Sequence, residues 1–269
     1  MADSAPETLS FDPMVALYDE TRTFDAHCFR AALGELAARF PPGTYHKLLE
    51  PGIGTGRIAL PLAEMGYDVT GVDISANMLS SLQKRRAQSA VASRIRCRRA
   101  DVVRLPFADA AFDIAVAVHL FYFIRGWKRA ADELLRVVRP DGPVILMHTG
   151  MGAEVPLLNQ RYKTLCAEQG FDIPTLGVKS TRDVVAYYER AGCRVEWLRD
   201  RRQWTSRLRL DKALDYIAAR AYSFTTFTPD AVHHAAVERL TAALEAEYGT
   251  LSTVVEVPNQ VNFVVVLRG

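Results

Sequence analysis

The stretch Leu48–Ser75, LLEPGIGTGRIALPLAEMGYDVTGVDIS, decides the fold. Three glycines at alternate positions, Gly52, Gly54 and Gly56, come directly after a short apolar run and before a helical pattern. Glycine is needed where the backbone approaches a ligand closely or takes a positive φ. A turn between a strand and a helix also directs backbone N–H groups towards a ligand. The stretch therefore predicts a nucleotide site on an α/β fold.

Acidic residues around this turn indicate which nucleotide fits. Arg57 stands where the dinucleotide fingerprint requires its third glycine. Glu50 would repel a diphosphate and pair with an ammonium group. Asp73 ends the second predicted strand, where a carboxylate accepts hydrogen bonds from ribose hydroxyls. Asp101 ends the third, where it can accept from the amine of adenine. Together they favour an adenosine that carries an amino-acid tail.

Strands and helices alternate on both sides of this stretch. The pattern predicts a doubly wound, mostly parallel sheet of seven strands, with helices on both faces. The C-terminal half adds a helical cap or insertion. Apolar spacing from Pro13 to Phe40 predicts a helix. Thr228 is predicted to cap the last helix, with Pro229 in its first position.

Composition limits the possible classes of protein. The chain has 269 residues, of which 49% are hydrophobic, and a net charge of only +2, which does not favour nucleic acid as a partner. Its four cysteines lie far apart, so no metal site is expected. Neither a signal peptide nor a membrane span is evident. We expect a cytoplasmic protein, a monomer or a homodimer.

At this point the sequence resembles the class I S-adenosylmethionine-dependent methyltransferases, in particular the type 11 group that acts on small molecules. The resemblance covers about 100 residues, Leu48 to Met147, in the order expected for the family. It rests on four segments: LEPGIGTGR, VTGVDISANML, ADVVRLPFADAAFDIAVAVHLFYFI and ELLRVVRPDGPVILM. Pro51 and Asp141 depart mildly from the family pattern.

The resemblance implies S-adenosylmethionine as cofactor, S-adenosylhomocysteine as product, and a set of binding residues. Glu50, Gly52 and Gly54 would line the methionine end, Asp73 would bind the ribose, Ile74, Met78, Asp101 and Val102 would contact the adenine, and His119 would lie near the sulfonium. The segment ALYDETR would place Tyr18 and Arg22 over the cofactor.

The same resemblance suggests how the chain is divided. One methyltransferase domain would span residues 1–269. Its parts are an N-terminal helical cover at 14–40, a cofactor-binding core at 45–150, a substrate cap with the remaining sheet elements at 151–250, and a final strand at 253–269.

Two histidines and several aromatic residues are candidates for catalysis and acceptor binding. His119 and His148 lie near the carboxyl ends of strands, where ligands bind in parallel sheets, and either could act as a base or contact the substrate. Aromatic residues near predicted turns, Tyr122, Trp127, Tyr222 and Phe224, are candidate acceptor contacts. They favour a small, partly apolar or aromatic acceptor.

Three other functions compete with this one. A methyltransferase acting on RNA or another macromolecule would use the basic run KRRAQSAVASRIRCRR and the later arginines 199, 201, 202, 207 and 209. A sensor that binds the cofactor without catalysis would lack an acceptor pocket. A nicotinamide oxidoreductase is disfavoured by Glu50 and Arg57.

Overall fold

A single sheet of seven strands organises the part of the chain that the structure describes. The computed structural model describes residues 8–151 and 154–269, so the portions of the predicted division at 1–7 and 152–153 lie outside the described residues. The strands are β1 (Lys47–Pro51), β2 (Asp68–Asp73), β3 (Ile95–Arg99), β4 (Ile114–Val118), β5 (Val144–Met151), β6 (Arg194–Arg209) and β7 (Val254–Leu267). Their order is β3-β2-β1-β4-β5-β7-β6, and β7 alone runs antiparallel to both of its neighbours. The predicted fold class is confirmed.

Helices cover both faces of the sheet. They are α1 (Ala26–Arg39), α2 (Ala59–Glu64), α3 (Ala76–Ala87), α4 (Trp127–Val137), α5 (Glu154–Ala167), α6 (Thr181–Arg190), α7 (Leu210–Ala218) and α8 (Asp230–Tyr248). Strand β4 shows how one strand serves both faces, because successive side chains point to opposite sides. Ala115 and Ala117 pack under α4 and α6, whereas Ile114 and Val116 pack with α1, α2 and α3.

A separate apolar cluster joins α5, α7 and α8 at the C-terminal half. Tyr162, Leu214 and Leu240 are buried in it, apart from the two clusters that flank the sheet. It lies in the region where the sequence predicts a helical cap. Helix α5 extends from Glu154 to Ala167 and contributes Tyr162 to this cluster.

The N-terminal region differs from the predicted single helix over 13–40. A short 3₁₀ helix spans Asp12–Leu17, and α1 begins only at Ala26. Asp25 ends the intervening turn, because its carboxylate accepts a hydrogen bond of 2.7 Å from the N–H of Cys28 and so caps α1. The apolar spacing predicts helical structure at both ends of this region, but it does not predict the turn that separates the two helices.

The predicted cap of the last helix is also wrong by one residue. Helix α8 begins at Asp230, and Pro229 occupies the capping position without a side-chain capping hydrogen bond. Thr228 is buried instead. Proline at this position already fixes a φ of −55°, so the backbone can enter the helix without a hydroxyl cap.

Two glycines provide a test of how tightly the glycine turn packs on the sheet. A Cβ at Gly71 in β2 would lie 2.1 Å from Cδ1 of Ile53, a residue of the turn, so Gly71→Ala should destabilise the protein by about 1–3 kcal/mol through overpacking. Gly34→Ala in α1 is the control, since no neighbouring atom lies within 4 Å of its Cβ position. It should stabilise the protein by about 0.5–1 kcal/mol. Thermal unfolding measures both, and equal shifts for the two variants would contradict the packing argument.

Candidate active site

The glycine turn lies over the carboxyl end of β2. The N–H groups of Gly52 and Ile53 both donate to the carbonyl of Val72, at 2.8 and 3.0 Å. Gly52 and Gly54 take positive φ values of 71° and 54°. Gly56 has a different role, because a Cβ there would lie 2.3 Å from Cδ1 of Leu82 in α3. The first two glycines therefore shape the site, and the third permits close helix packing.

A cleft of about 650 Å³, open mouth included, lies beside this turn. Eight of the eleven predicted cofactor-binding residues line it: Tyr18, Gly52, Gly54, Asp73, Ile74, Met78, Val102 and His119. It is formed by the carboxyl ends of β1, β2 and β4, which is where open parallel sheets bind ligands. The remaining three predicted residues, Arg22, Glu50 and Asp101, are not among its walls.

Several walls of the cleft were not predicted from the sequence. Phe11, Leu120, Phe123 and Ile124 contribute apolar surface. The rings of Phe11 and Phe123 meet edge to face with 4.9 Å between centroids. The resemblance to the family indicates the segment after β4, which contains Leu120, Phe123 and Ile124. No feature of the sequence around Phe11 indicates that this residue lines the cleft. These rings form an apolar side suited to a flat base.

Asp73 connects the turn to the beginning of α3. Its Oδ2 accepts the N–H of Gly54 and its Oδ1 accepts the N–H of Ser75, each at 2.9 Å. Burial raises the pKa of this carboxyl above its ordinary value, against the two backbone donors. Each oxygen retains a lone pair, so the carboxylate can still accept hydrogen bonds from a ligand in the cleft.

Glu50 is a buried carboxyl group at the end of β1, and Arg57 is the positive charge that acts on it. It is 2% exposed, and its Oε2 has no hydrogen-bond partner. Burial, and next the charge of Asp73, raise the pKa of Glu50 well above its ordinary value. A buried polar group without a partner is uncommon and usually indicates a ligand or a function. The carboxylate fits a ligand with a positive charge close to the glycines.

Asp101 does not take the position that the resemblance implied. Its carboxylate accepts the N–H of Val103 at 3.1 Å and caps a short 3₁₀ turn, Val102–Arg104. Its neighbours Ala100 and Val102 line the cleft in its place. Asp is a frequent capping residue, and this local bond directs the side chain along the backbone.

Two arginines stack on the aromatic ring of Tyr18. The guanidinium carbon of Arg22 lies 4.3 Å from the ring centroid, and that of Arg57 lies 5.9 Å away. Arg22 also donates from Nη1 to the carbonyl of Ala221, at 3.3 Å. It therefore joins the N-terminal segment to the turn of the C-terminal cap. Burial lowers the pKa of both guanidinium groups.

His119 follows β4 in a left-handed conformation, with φ 48°. The N–H of Thr149 donates to its Nε2 at 3.0 Å, and the hydroxyl of Thr149 lies 2.8 Å from the same atom. A backbone amide can only donate, so Nε2 accepts and the ring proton is on Nδ1. The predicted role of a general base is therefore disfavoured. The ring can still donate a hydrogen bond from Nδ1.

The neutral state of His119 can be tested directly. Burial, reinforced by the charges of His148, Arg22 and Arg57, lowers its pKa to about 4. We expect its imidazole to stay neutral throughout the neutral pH range, without a step near the ordinary value of 6.5. A titration of the ring C–H resonances by NMR, with His119→Ala for assignment, measures this. An apparent pKa near the ordinary value would show that the bond to Thr149 does not hold the ring neutral.

A second cavity of about 270 Å³ adjoins the cleft and shares His119 and Leu120 with it. Tyr122 and His148 line it, as the sequence suggested for acceptor contacts, together with Thr181. The hydroxyl groups of Tyr122 and Thr181 are 3.0 Å apart. The Nδ1 of His148 is buried without a partner, and burial lowers the pKa of this ring.

The other three aromatic candidates lie elsewhere. Trp127 begins α4 and packs edge to face against Tyr187 at 5.4 Å, so it belongs to the core and lines neither cavity. Tyr222 and Phe224 stack with 5.3 Å between centroids, and Phe224 also contacts Tyr162 in the cap cluster. Tyr222 is close enough to Arg22 for their charges to interact. These two rings hold the cap turn together, and neither is among the walls of either cavity.

The basic run that supported a macromolecular substrate is engaged within the fold. Arg85 donates to Asp19, Arg86 to the carbonyl of Ile95, and Arg94 to Asp68, at 2.8–3.0 Å. Arg202 and Arg209 pair with Glu35 and Asp211. The side chains at 199 and 201 lie outside the described residues. Two of the seven cations of the run, Arg85 and Arg94, therefore have carboxylate partners.

Comparison with known proteins identifies the segment that contains the cleft. Residues 49–146 match the family described as "Methyltransferase domain". This segment is a methyltransferase domain. The predicted family is confirmed for this segment. Its boundaries run from β1 through β5 and include the glycine turn, Asp73 and His119.

Relatives and solved structures agree with this assignment. The chain is 34% identical over 144 residues to the demethylmenaquinone methyltransferase of Beutenbergia cavernae, covering 51% of this chain and 55% of that protein. It is 35% identical over 108 residues to Rv1405c of Mycobacterium tuberculosis, covering 40% and 38%. The chain thus spans about 38–55% of the length of these relatives. The crystal structure of YcgJ from Bacillus subtilis superposes with a TM-score of 0.60 at 18% identity, covering 89% of this chain and 99% of that chain, which shows a shared fold.

No helix in residues 8–151 and 154–269 combines the length and apolar character that a membrane span requires. All four cysteines, which lie in the described part of the chain, are free thiols.

Proposed function

We propose that this protein binds S-adenosylmethionine in the cleft and transfers its methyl group to a small, partly apolar or aromatic acceptor. The observation that carries the proposal is the buried carboxylate of Glu50, whose Oε2 lacks a partner beside the glycine turn. A ligand with an ammonium group near Gly52 and Gly54 would supply that partner. The carboxylate of Asp73 lines the cleft at the same edge of the sheet, and we propose that it accepts hydrogen bonds from a ribose.

Residues in the walls of the cleft and beside it fit the three parts of this cofactor. Glu50 would pair with the ammonium of the amino-acid end. Asp73 would accept hydrogen bonds from the ribose hydroxyls. The apolar side chains of Ile74, Met78 and Val102, all cleft walls, would enclose the adenine. Apart from the two acids, this site is mostly apolar, as pockets for nucleosides usually are.

Within this proposal the chain contributes mainly alignment and exclusion of water. When bound, S-adenosylmethionine supplies a methyl group activated by its sulfonium. The acceptor atom would bond to that methyl carbon as the carbon–sulfur bond breaks with its electron pair left on sulfur, and the proton of the acceptor would pass to His148, whose Nδ1 has no partner, or to water. His119 would donate a hydrogen bond from Nδ1 without taking that proton. Tyr18 would close the site against water, which favours the aligned reaction.

The second cavity supports the class of acceptor. It adjoins the cleft through His119 and Leu120, and its walls are largely apolar, with Tyr122, His148 and Thr181 as polar groups. A relative of this chain is named for methylation of demethylmenaquinone, and a partly aromatic acceptor agrees with that likeness. The free thiols agree with a cytoplasmic setting, which is part of this proposal.

Calorimetric titration with S-adenosylmethionine and S-adenosylhomocysteine tests the proposal. We expect micromolar binding of both and no binding of NAD at the same concentrations. Acceptor candidates would then be screened by the release of S-adenosylhomocysteine. A folded protein that binds neither cofactor form would contradict the proposal, and so would one that prefers NAD. Turnover of RNA at low salt would favour the macromolecular alternative.

A further inference from the structure

Two imidazoles lie where the cofactor cleft meets the second cavity. His119 follows β4 and is a wall of both, and His148 of β5 is a wall of the second cavity. Strands β4 and β5 are parallel neighbours in the sheet. The N–H of His119 donates to the carbonyl of Met147, the residue before His148, at 3.1 Å. The two rings are also close enough for the charge of His148 to lower the pKa of His119.

His119 can only donate a hydrogen bond to a ligand. Its Nε2 accepts the N–H of Thr149 at 3.0 Å, which fixes the single proton of the neutral ring on Nδ1. Nδ1 is therefore the ring nitrogen that remains for a ligand, and it carries a hydrogen. A ligand atom that bonds to His119 must offer a lone pair.

His148 can offer the complementary group. Its Nδ1 is buried without a hydrogen-bond partner, which is uncommon for a polar atom and usually indicates a ligand or a function. Burial lowers the pKa of this ring, so the imidazole is neutral at neutral pH and carries one ring proton. With that proton on Nε2, Nδ1 presents a lone pair. The ring meets Trp197 edge to face with 6.2 Å between centroids, and this contact orients it.

The other polar side chains of the second cavity already have partners. The hydroxyl groups of Tyr122 and Thr181 lie 3.0 Å apart and bond to each other. The remaining walls are apolar side chains, namely Ala117, Leu120, Phe121, Leu146, Met147, Val178 and Val184. The cavity of about 270 Å³ therefore suits an apolar ring whose polar atom lies at the two imidazoles.

We infer that the acceptor is a phenol whose hydroxyl donates to Nδ1 of His148 and accepts from Nδ1 of His119. This inference rests on the proposed function and narrows its substrate class. A hydroxyl oxygen has one hydrogen and two lone pairs. The hydrogen goes to His148, one lone pair goes to His119, and the second lone pair attacks the methyl group. A neutral amine has only one lone pair, which the bond from His119 would occupy, and a carboxylate has no hydrogen for His148.

The transfer of the proton favours a phenol over an aliphatic alcohol. As the oxygen–methyl bond forms, the methyl–sulfur bond breaks and its electron pair stays on sulfur. The hydroxyl proton passes to Nδ1 of His148, and the resulting imidazolium then releases a proton to the solvent. General base catalysis is efficient only when the pKa values of the two groups are not far apart. The pKa of a phenol, about 10, is much closer to that of an imidazole than the pKa of an aliphatic alcohol is.

Phenols and their methyl ethers test this on the complete chain saturated with S-adenosylhomocysteine. Phenol and anisole, then 4-methylphenol and 4-methylanisole, would be titrated calorimetrically. An ether oxygen can accept from His119 but has no hydrogen for His148, so each phenol should bind at least about fivefold more tightly than its ether. His148→Phe keeps a ring against Trp197 and should remove the preference. His46→Phe is the matched control and should keep it, because His46 precedes β1 at the opposite edge of the parallel strands.

Turnover with S-adenosylmethionine separates binding of the hydroxyl from transfer of its proton. His148→Asn should lower kcat with 4-methylphenol by at least about 100-fold, because an amide can accept the hydrogen bond but cannot take the proton. With 4-nitrophenol, which is largely ionised in mildly alkaline solution, the same variant should lose less than about tenfold, because no base is needed. A merely structural role for His148 would lower both rates by the same factor. The release of S-adenosylhomocysteine measures both rates.

Four results would overturn the inference while the proposed function stands. They are equal binding of phenols and ethers, a preference that survives in His148→Phe, equal losses of turnover with 4-methylphenol and 4-nitrophenol, and phenols that are not bound at millimolar concentration or are bound without being methylated. Each of them applies to a parent protein that binds S-adenosylhomocysteine. If the parent protein binds neither form of the cofactor, the proposed function fails first and the inference fails with it.

Discussion

Asp73→Ala should weaken the binding of S-adenosylmethionine about 100-fold, equivalent to ~2.7 kcal/mol. Two effects add in the same direction. The ribose loses its acceptor, and the N–H groups of Gly54 and Ser75, each held at 2.9 Å by the carboxylate, lose theirs. Hydrogen bonds to charged groups contribute about 1.5–3 kcal/mol each. Calorimetric titration measures the loss, and the thermal unfolding curve confirms that the variant is folded.

Asp73→Asn and a shortened ligand separate the two effects. The amide keeps one oxygen as an acceptor, so its loss should be close to tenfold, about 1.4 kcal/mol. Methylthioadenosine keeps the ribose but lacks the amino-acid end, so Asp73→Ala should weaken it by the same factor as S-adenosylmethionine. A loss below about threefold, or a loss restricted to S-adenosylmethionine, would show that Asp73 does not bind the ribose.

The sheet and the cofactor edge could be predicted because their determinants are local. Glycines, strand ends and acids at 50 and 73 lie within one short stretch, where spacing along the chain fixes spacing in the fold. All three glycines of the turn, Gly52, Gly54 and Gly56, take a positive φ, as the turn needs. Parallel strands then bring their carboxyl ends to a single edge. Eight of the eleven predicted cofactor residues therefore meet in one cleft.

Contacts between distant segments could not be predicted in this way. Asp12 shows the difficulty. Its Oδ1 accepts the N–H of Asn77 at 3.0 Å, and it bonds to the hydroxyl of Ser75, so it supports the beginning of α3 from 65 residues away. The bond to Ser75 does most to lower the pKa of Asp12. The spacing of apolar residues along the chain does not predict a contact of this kind. The contact of Asp12 with the beginning of α3 holds its neighbour Phe11 beside the cleft.

Side-chain direction was the other source of error. Asp101 and Trp127 are in the segments that the resemblance selects, but Asp101 bonds to the N–H of Val103, Trp127 packs against Tyr187, and neither lines the cleft or the second cavity. Arg57 was read from the sequence only as a residue that excludes a dinucleotide. Its unused Nη2 is evident only once the burial of that atom is known.

Glu50→Gln should make the free protein more stable and its cofactor binding weaker. Burial raises the pKa of Glu50 well above its ordinary value, so the folded state favours the protonated form. The contribution to stability is fully present below the ordinary pKa of 4.5, and it is lost as the pH rises through the higher pKa of the folded state. Glutamine does not titrate. The variant should therefore gain about 1 kcal/mol at pH 8, a Tm rise of about 2–4 °C, and almost nothing at pH 4.

The same carboxylate should account for about 30-fold of cofactor affinity, ~2 kcal/mol, because the ammonium gives the buried charge its partner. Binding would then lower the raised pKa of Glu50, so the parent protein should release a proton when it binds S-adenosylmethionine at a pH below the folded-state pKa of this carboxyl. Binding enthalpies measured in buffers of different ionisation enthalpy detect that proton, and Glu50→Gln should not release it. A variant stabilised equally at pH 4 and pH 8 would show that the ionised carboxylate is not the cause. An ionised carboxylate at this position lowers the stability of the free protein and raises its affinity for the cofactor. If Glu50 binds the ammonium group, Glu50→Gln must therefore increase stability and decrease cofactor affinity.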